Sequence, residues 1–188
     1  IITAVRLPPY YAILDDANPA LLSINLRKML ANGIRLIQLR LKSLSISQVA
    51  SFIELAYPLC KANNALLLLN SGVVNAENFE VDGLHLTSAV FLSFTQRPPG
   101  IQCIAASCHN LAELLHAEHI GVDFAVLAPV LTTPTHPNAK LLSWEGFAAL
   151  VDQVNLPVYA LGGLLKSNLQ TAREAGGQGI AGVRTFLE

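Results

Sequence analysis

The sequence predicts an α/β fold, a compact (β/α)8 TIM barrel without its last helix, and three observations point there. Eight short apolar runs alternate with stretches of helical periodicity along the chain, the signature of parallel strands joined by crossover helices. Hydrophobic residues make up 52% and charged residues 13%, with a mean hydropathy of +0.46. No apolar run reaches the ~18–20 residues of a membrane span, because Asn, Asp, Pro or Lys breaks each one. The apolar excess must then be buried, as it is when strands are covered on both faces. A length of 188 residues fits one domain.

Residues 1–9 read as a linker or N-terminal extension, and 10–188 as the barrel. The first run is YYAIL (10–14), followed by the helical NPALLSINLRKMLANG, where Asn18 precedes Pro19 at a first helical position and Gly33 marks the stop. RLIQLRLK (35–42) leads into SISQVASFIELAYPLCKANN, with Ser45 as N-cap. ALLLLN (65–70) and DGLHLT (82–87) are followed by the shorter connections SGVVNAENFE and SAVFLSFTQRPPG. IQCIAAS (101–107) precedes NLAELLHAEHIG, ending at Gly121, and DFAVLAPV (123–130) precedes SWEGFAALVDQV, capped by Ser143. PVYALGG (157–163), KSNLQTAREAGG and GIAGVRTF (179–186) complete the alternation, and the chain stops two residues later.

In such barrels chemistry sits where strands exit at their C-terminal ends. A period of two puts Gln38, Arg40 and Lys42 on one face of the second run and Ile37, Leu39 and Leu41 on the other. Two cations and an amide directed into a barrel need an anion: either a ligand, or internal partners such as Asp15 or Asp16. APVLTTPTHP (128–137) leaves the sixth run through Thr133, Pro134, Thr135 and His136, which suit either an anion grip or an ordinary loop. Gly162 and Gly163 let backbone N–H groups approach a phosphate, and Arg184 adds a bidentate clamp or points at solvent. His85 and His109, at other strand ends, are candidates to titrate near neutrality.

A net charge of −1 with no basic patch argues against nucleic acid. Cys60, Cys103 and Cys108 lack zinc spacing and read as reduced thiols of a cytoplasmic protein. Cys103 and Cys108 fall within one run and its exit, too far apart to pair.

Together IQLRLK, DGLHL, ASCHN, VDFAVLAPVLTTPTHP, LPVYALGGLLKSN and AREAGGQGIAGV resemble the thiamine phosphate synthase and thiazole tautomerase superfamily, in order and over nearly the whole chain. The resemblance implies that Gln38, Arg40 and Lys42 match pyrimidine and pyrophosphate contacts, and that Asn70 matches the asparagine at the third strand's exit. It implies that Thr133 and Thr135 match pyrophosphate-holding threonines, with His136 in place of the usual Lys, and that Gly162 and Gly163 match a thiazole-phosphate cradle. Departures from the family's pattern accompany it. Ser71 and Val90 replace the two aspartates expected to hold Mg2+, which argues against that cofactor and against full synthase activity. Thr87-Ser88 stands for Gly-Gln, Arg184 for a serine, and Pro129 for the histidine of the tautomerase branch.

RLPPYYAIL and GIAGVRTFLE also resemble the linker and terminus of bacterial fusions in which a Nudix hydrolase of the 8-oxo-dGTP-cleaving type precedes a synthase-like barrel. The function expected is therefore a phosphate- or pyrophosphate-binding accessory barrel of such a fusion. The alternatives are an active thiamine-biosynthesis enzyme, synthase or tautomerase, and a structural or dimerisation domain. Expected partners are a small phosphorylated ligand, a covalently linked N-terminal Nudix domain and a second copy of the chain, with neither nucleic acid nor membrane.

Overall fold

The computed structural model describes residues 6–134 and 136–188. Eight parallel strands close into one barrel in sequence order: β1 (Tyr10–Asp15), β2 (Leu36–Arg40), β3 (Leu66–Asn70), β4 (Gly83–Leu86), β5 (Cys103–Cys108), β6 (Phe124–Leu127), β7 (Val158–Ala160) and β8 (Gly179–Gly182). β1 pairs with both β2 and β8, in the register Ala12 to Ile37 and Tyr11 to Ala181, so no sheet edge is left exposed. The expected TIM barrel is the observed fold.

Helices α1 (Leu22–Ala31), α2 (Ile46–Ala62), α3 (Ser88–Phe91), α4 (Leu111–Ile120), α5 (Ser143–Val151) and α6 (Leu169–Glu174) cover its outside. Their ends follow local chemistry. The Ser45 side chain accepts from the Gln48 amide and the Gln48 side chain answers at the Ser45 amide, a reciprocal capping box. Gly33 and Gly121 take φ of +82° and +78° where their helices stop. Asn18 makes no side-chain cap; Pro19 instead opens a 3-10 turn (Pro19–Leu21) that leads into α1. Ser143 opens α5, and its hydroxyl accepts from the Gly146 amide at 3.3 Å. The two short connections hold only a 3-10 turn (Ala76–Asn78) and the four-residue α3.

Two apolar layers result from the period of two. Ile37, Leu39 and Leu41 belong to the outer layer beneath the helices, with Leu67, Leu69, Leu84 and Ile104. Inside, Tyr11, Leu36, Leu68, Ala105, Phe124, Val126, Tyr159 and Ala181 form a separate cluster. Its floor is aromatic: the ring centroids of Tyr11, Phe124 and Tyr159 lie 5.2–5.6 Å from one another, mostly edge-on or tilted. Leu7 packs against this cluster from below, and the Pro8 carbonyl accepts the Tyr159 hydroxyl. Residues 7–9 of the expected linker are thus held against the barrel bottom.

The same end carries two repeated ties. Asp82, just before β4, accepts from the Leu67 amide of β3 at 2.7 Å and pairs with Lys61 at 2.7 Å. Asp123, just before β6, accepts from the Ile104 amide of β5 at 2.7 Å and pairs with Arg97 at 2.9 Å. Each carboxylate satisfies a strand amide at the barrel rim, where the ladder has run out.

Candidate functional site

The opposite rim gathers the strand exits. Gln38 is fully buried inside the barrel, while Arg40 ends β2 in an exposed position and Lys42 lies two residues beyond it, also exposed. Internal ion pairing does not account for them. Among the described residues neither forms a salt bridge, and Asp16 is otherwise engaged, accepting from the Ser43 and Leu44 amides at 2.6 and 3.2 Å. That carboxylate, itself buried, staples the exit of β1 to the loop bearing Lys42.

Above the aromatic floor runs a line of polar side chains from five strands, β1 to β5. The Gly72 amide donates to Asn70 Oδ1 at 2.9 Å, and Asn70 Nδ2 donates to Gln38 Oε1 at 2.8 Å. Gln38 Nε2 donates to the Tyr11 hydroxyl at 3.2 Å, which lies 2.9 Å from His85 Nδ1. His85 Nε2 lies 2.6 Å from Ser107 Oγ on β5. No buried side-chain nitrogen or oxygen among the described residues lacks a partner. Burial, and next the nearby Arg40 charge, push His85 down to about 3, so the expectation that it titrates near neutrality is corrected. Burial also drives the Tyr11 hydroxyl well above its ordinary range.

His109 follows β5 in an exposed position. Its Nδ1 lies 3.2 Å from Ser88 Oγ and 3.1 Å from Glu113 Oε2, while its amide donates to the same carboxylate at 2.7 Å. Both side-chain contacts use one ring nitrogen, so this is a helix-start tie and not a nucleophile–base–acid relay. Sequence reasoning passed over Tyr11 and Ser107. Ser107 had a signal, since it is the polar position before Cys108 on the inward phase of β5; Tyr11 had none, because its ring reads as core.

The remaining candidates follow β6, β7 and β8. In a closed eight-stranded barrel β6 is diametrically opposite β2. The loop after β6 makes a tight turn in which the His136 amide donates to the Thr133 carbonyl and hydroxyl at 3.2 and 3.1 Å; Thr135 lies outside the described residues. Gly162 and Gly163, after β7, have φ of +120° and +63°. A Cβ on Gly163 would sit 2.4 Å from the Thr132 carbonyl oxygen, and one on Gly162 2.9 Å from the Val130 nitrogen. The glycine pair therefore lets the two exit loops lie backbone against backbone, an arrangement joined by Val130 N to Leu161 O and Leu131 N to Gly162 O. Arg184, two residues past β8, is exposed; its neighbour Thr185 accepts from the Lys166 amide at 3.0 Å, which ties that segment to the loop after β7.

The residues present do not fit Mg2+. The Ser71 hydroxyl accepts from the Thr87 amide at 3.0 Å, and Val90 offers no ligand atom. Both line a groove of about 650 Å3 outside β4, walled by Leu84, Leu86, Phe94 and Ile101. No cluster of three His, Cys, Asp or Glu able to hold a metal occurs among the described residues. Mg2+ needs several oxygen ligands, carboxylates among them, in near-octahedral array, and among the described residues lining that groove Glu77 is the only carboxylate.

Residues 10–186 match the family model of thiamine monophosphate synthase. Over 186 residues the chain is 34% identical to a putative thiamine-phosphate synthase 2 of Aquifex aeolicus, covering 98% of this chain and all of that protein. It is 30% identical to a thiamine-phosphate synthase of Caldivirga maquilingensis, covering 97% of this chain and 91% of the other. In structure it resembles thiamine phosphate pyrophosphorylase from Pyrococcus furiosus, with a TM-score of 0.79 over 95% of this chain and 87% of that one, at 24% identity. With a family match over almost its full length and relatives of this closeness, the chain belongs to the thiamine monophosphate synthase family.

Proposed function

We propose that the mouth takes thiamine precursors bearing phosphate and pyrophosphate, and that it transfers an aminopyrimidine from pyrophosphate to a thiazole phosphate. The relatives' names support this reading over the accessory-barrel reading expected from the sequence. One observation carries it: Arg40 and Lys42 stand at the rim above buried Gln38 with no acidic partner among the described residues. In the transfer the bond from the pyrimidine's methylene carbon to the pyrophosphate oxygen breaks, and its electron pair leaves on oxygen. The thiazole nitrogen supplies the pair for the new C–N bond. Arg40 and Lys42 take up the charge that develops on the departing oxygen. The amides of Gln38 and Asn70 suit a heteroaromatic ring, Thr133, Thr135 and His136 the pyrophosphate, and the Gly162 and Gly163 amides with Arg184 the thiazole phosphate. No step uses a metal. The three free thiols suit a cytoplasmic setting.

Ser71 and Val90 favour a second reading, in which the same mouth binds such a ligand without turning it over, beside a linked Nudix hydrolase domain. Calorimetry with the pyrimidine pyrophosphate and the thiazole phosphate, paired with an assay for thiamine phosphate in the presence of a chelator, separates the two. Product that forms with the chelator present, and whose kcat/KM falls about 100-fold in Arg40→Ala, supports transfer. Binding without product leaves the accessory reading; no binding of either compound overturns both.

A further inference from the structure

The buried polar line inside the barrel has a direction, and a backbone group sets it. A peptide N–H cannot accept, so the Gly72 amide requires an oxygen from Asn70, and the contact is Oδ1 at 2.9 Å. That choice turns Asn70 Nδ2 toward Gln38, whose facing atom must then be Oε1, as found at 2.8 Å. Gln38 Nε2 is left facing Tyr11, so the phenol oxygen accepts at 3.2 Å. Its one proton then has a single place to go, His85 Nδ1 at 2.9 Å. With Nδ1 accepting, a neutral imidazole carries its proton on Nε2 and donates it to Ser107 Oγ at 2.6 Å. Every donor points the same way, from the loop after β3 to the exit of β5.

We propose that this one-way relay holds His85 as the neutral Nε2–H tautomer, that Tyr11 is its positioning residue, and that Ser107 is thereby left with its own hydroxyl proton free for a ligand. His85 is then neither acid nor base. Its work is to occupy a Ser107 lone pair so that the hydroxyl faces the mouth as a donor, suited to a ligand oxygen. Only this last point rests on the phosphate-binding reading. Tyr11 suits the task because its ring is locked between Phe124 and Tyr159 and is fully buried, so its hydroxyl keeps one position.

Nitrogen-15 NMR of the histidine-labelled, ligand-free chain at pH 7 tests the relay. The native protein should show His85 as one neutral species protonated at Nε2. A signal from Nδ1–H or from imidazolium overturns the proposal. Tyr11→Phe, which keeps the ring and removes the hydroxyl, should give a mixture of the two tautomers; an unchanged Nε2–H spectrum removes Tyr11 from its role. Gln38→Glu supplies an acceptor where Tyr11 now meets a donor, so the Tyr11 proton turns round and His85 becomes Nδ1–H. An unchanged tautomer there refutes the directional coupling, an effect that packing alone does not mimic. Failure of the native chain to bind inorganic pyrophosphate would count against the proposed function while leaving the tautomer result to judge the relay.

Discussion

His85 shows what one residue contributes to both stability and site. Unfolded, its imidazole titrates near 6.5; folded, burial and the Arg40 charge bring it to about 3. The folded state thus binds fewer protons than the unfolded state between those values. Stability contributed by this site is complete above pH 6.5 and is lost as pH falls toward 3. Between pH 7 and pH 5 the loss is about 2 kcal/mol, from ~1.4 kcal/mol for each pH unit below the unfolded value. Urea unfolding of the native chain and of His85→Gln should show this difference, with the variant's curve flatter by that amount across the interval. Parallel curves would mean that His85 becomes charged in the folded barrel. A lone His on a short apolar run says nothing of this, because the environment that shifts it comes from β1, β2 and β5.

At the scale of elements, the strands, their phase and the polar face of β2 were legible, because a period of two survives in any sheet buried on one side by helices. The helix starts were less so: Ser45 carries out its expected cap, whereas Ser143, expected to cap α5, is its first residue, with Leu142 at the cap position. The ties at the barrel bottom were not legible at all, since Asp82 and Asp123 look like ordinary turn residues until the neighbouring strand is known. They are asymmetric in energy. Asp82→Ala leaves the Leu67 amide without its acceptor and strands Lys61, a cost of about 2–3 kcal/mol. Lys61→Ala removes a partner that is 38% exposed and keeps the amide satisfied, so about 1 kcal/mol is expected. Denaturant midpoints of the two variants check the ordering, and equal losses would contradict it.

For the whole molecule the decisive seam is the one between β8 and β1, which turns a sheet into a barrel. Ile180 N donates to the Pro9 carbonyl at 3.0 Å, and a Cβ on Gly179 would lie 1.9 Å from that same oxygen. Gly179→Ala must push the two strands apart, at about 3 kcal/mol or more. Gly146→Ala, in α5 with nothing nearer than 3.7 Å to its new methyl, should gain ~0.5–1 kcal/mol. Hydrogen exchange at the Ile180 amide, fast in the first variant and unchanged in the second, would show that closure itself was hit. The candidate site was only partly legible at this scale. Gln38 and Arg40 could be placed by phase and Asn70 by the family resemblance, but the backbone contact between the loops after β6 and β7, and the engagement of Ser71 by Thr87, depend on how distant segments meet.

Because Tyr11, Phe124 and Tyr159 close the barrel from below, the mouth is a well and not a tunnel. A closed bottom leaves a single way in and out. On the proposed reading, whatever reaches Gln38 and Asn70 must therefore enter and depart past the same rim that carries Arg40 and Lys42.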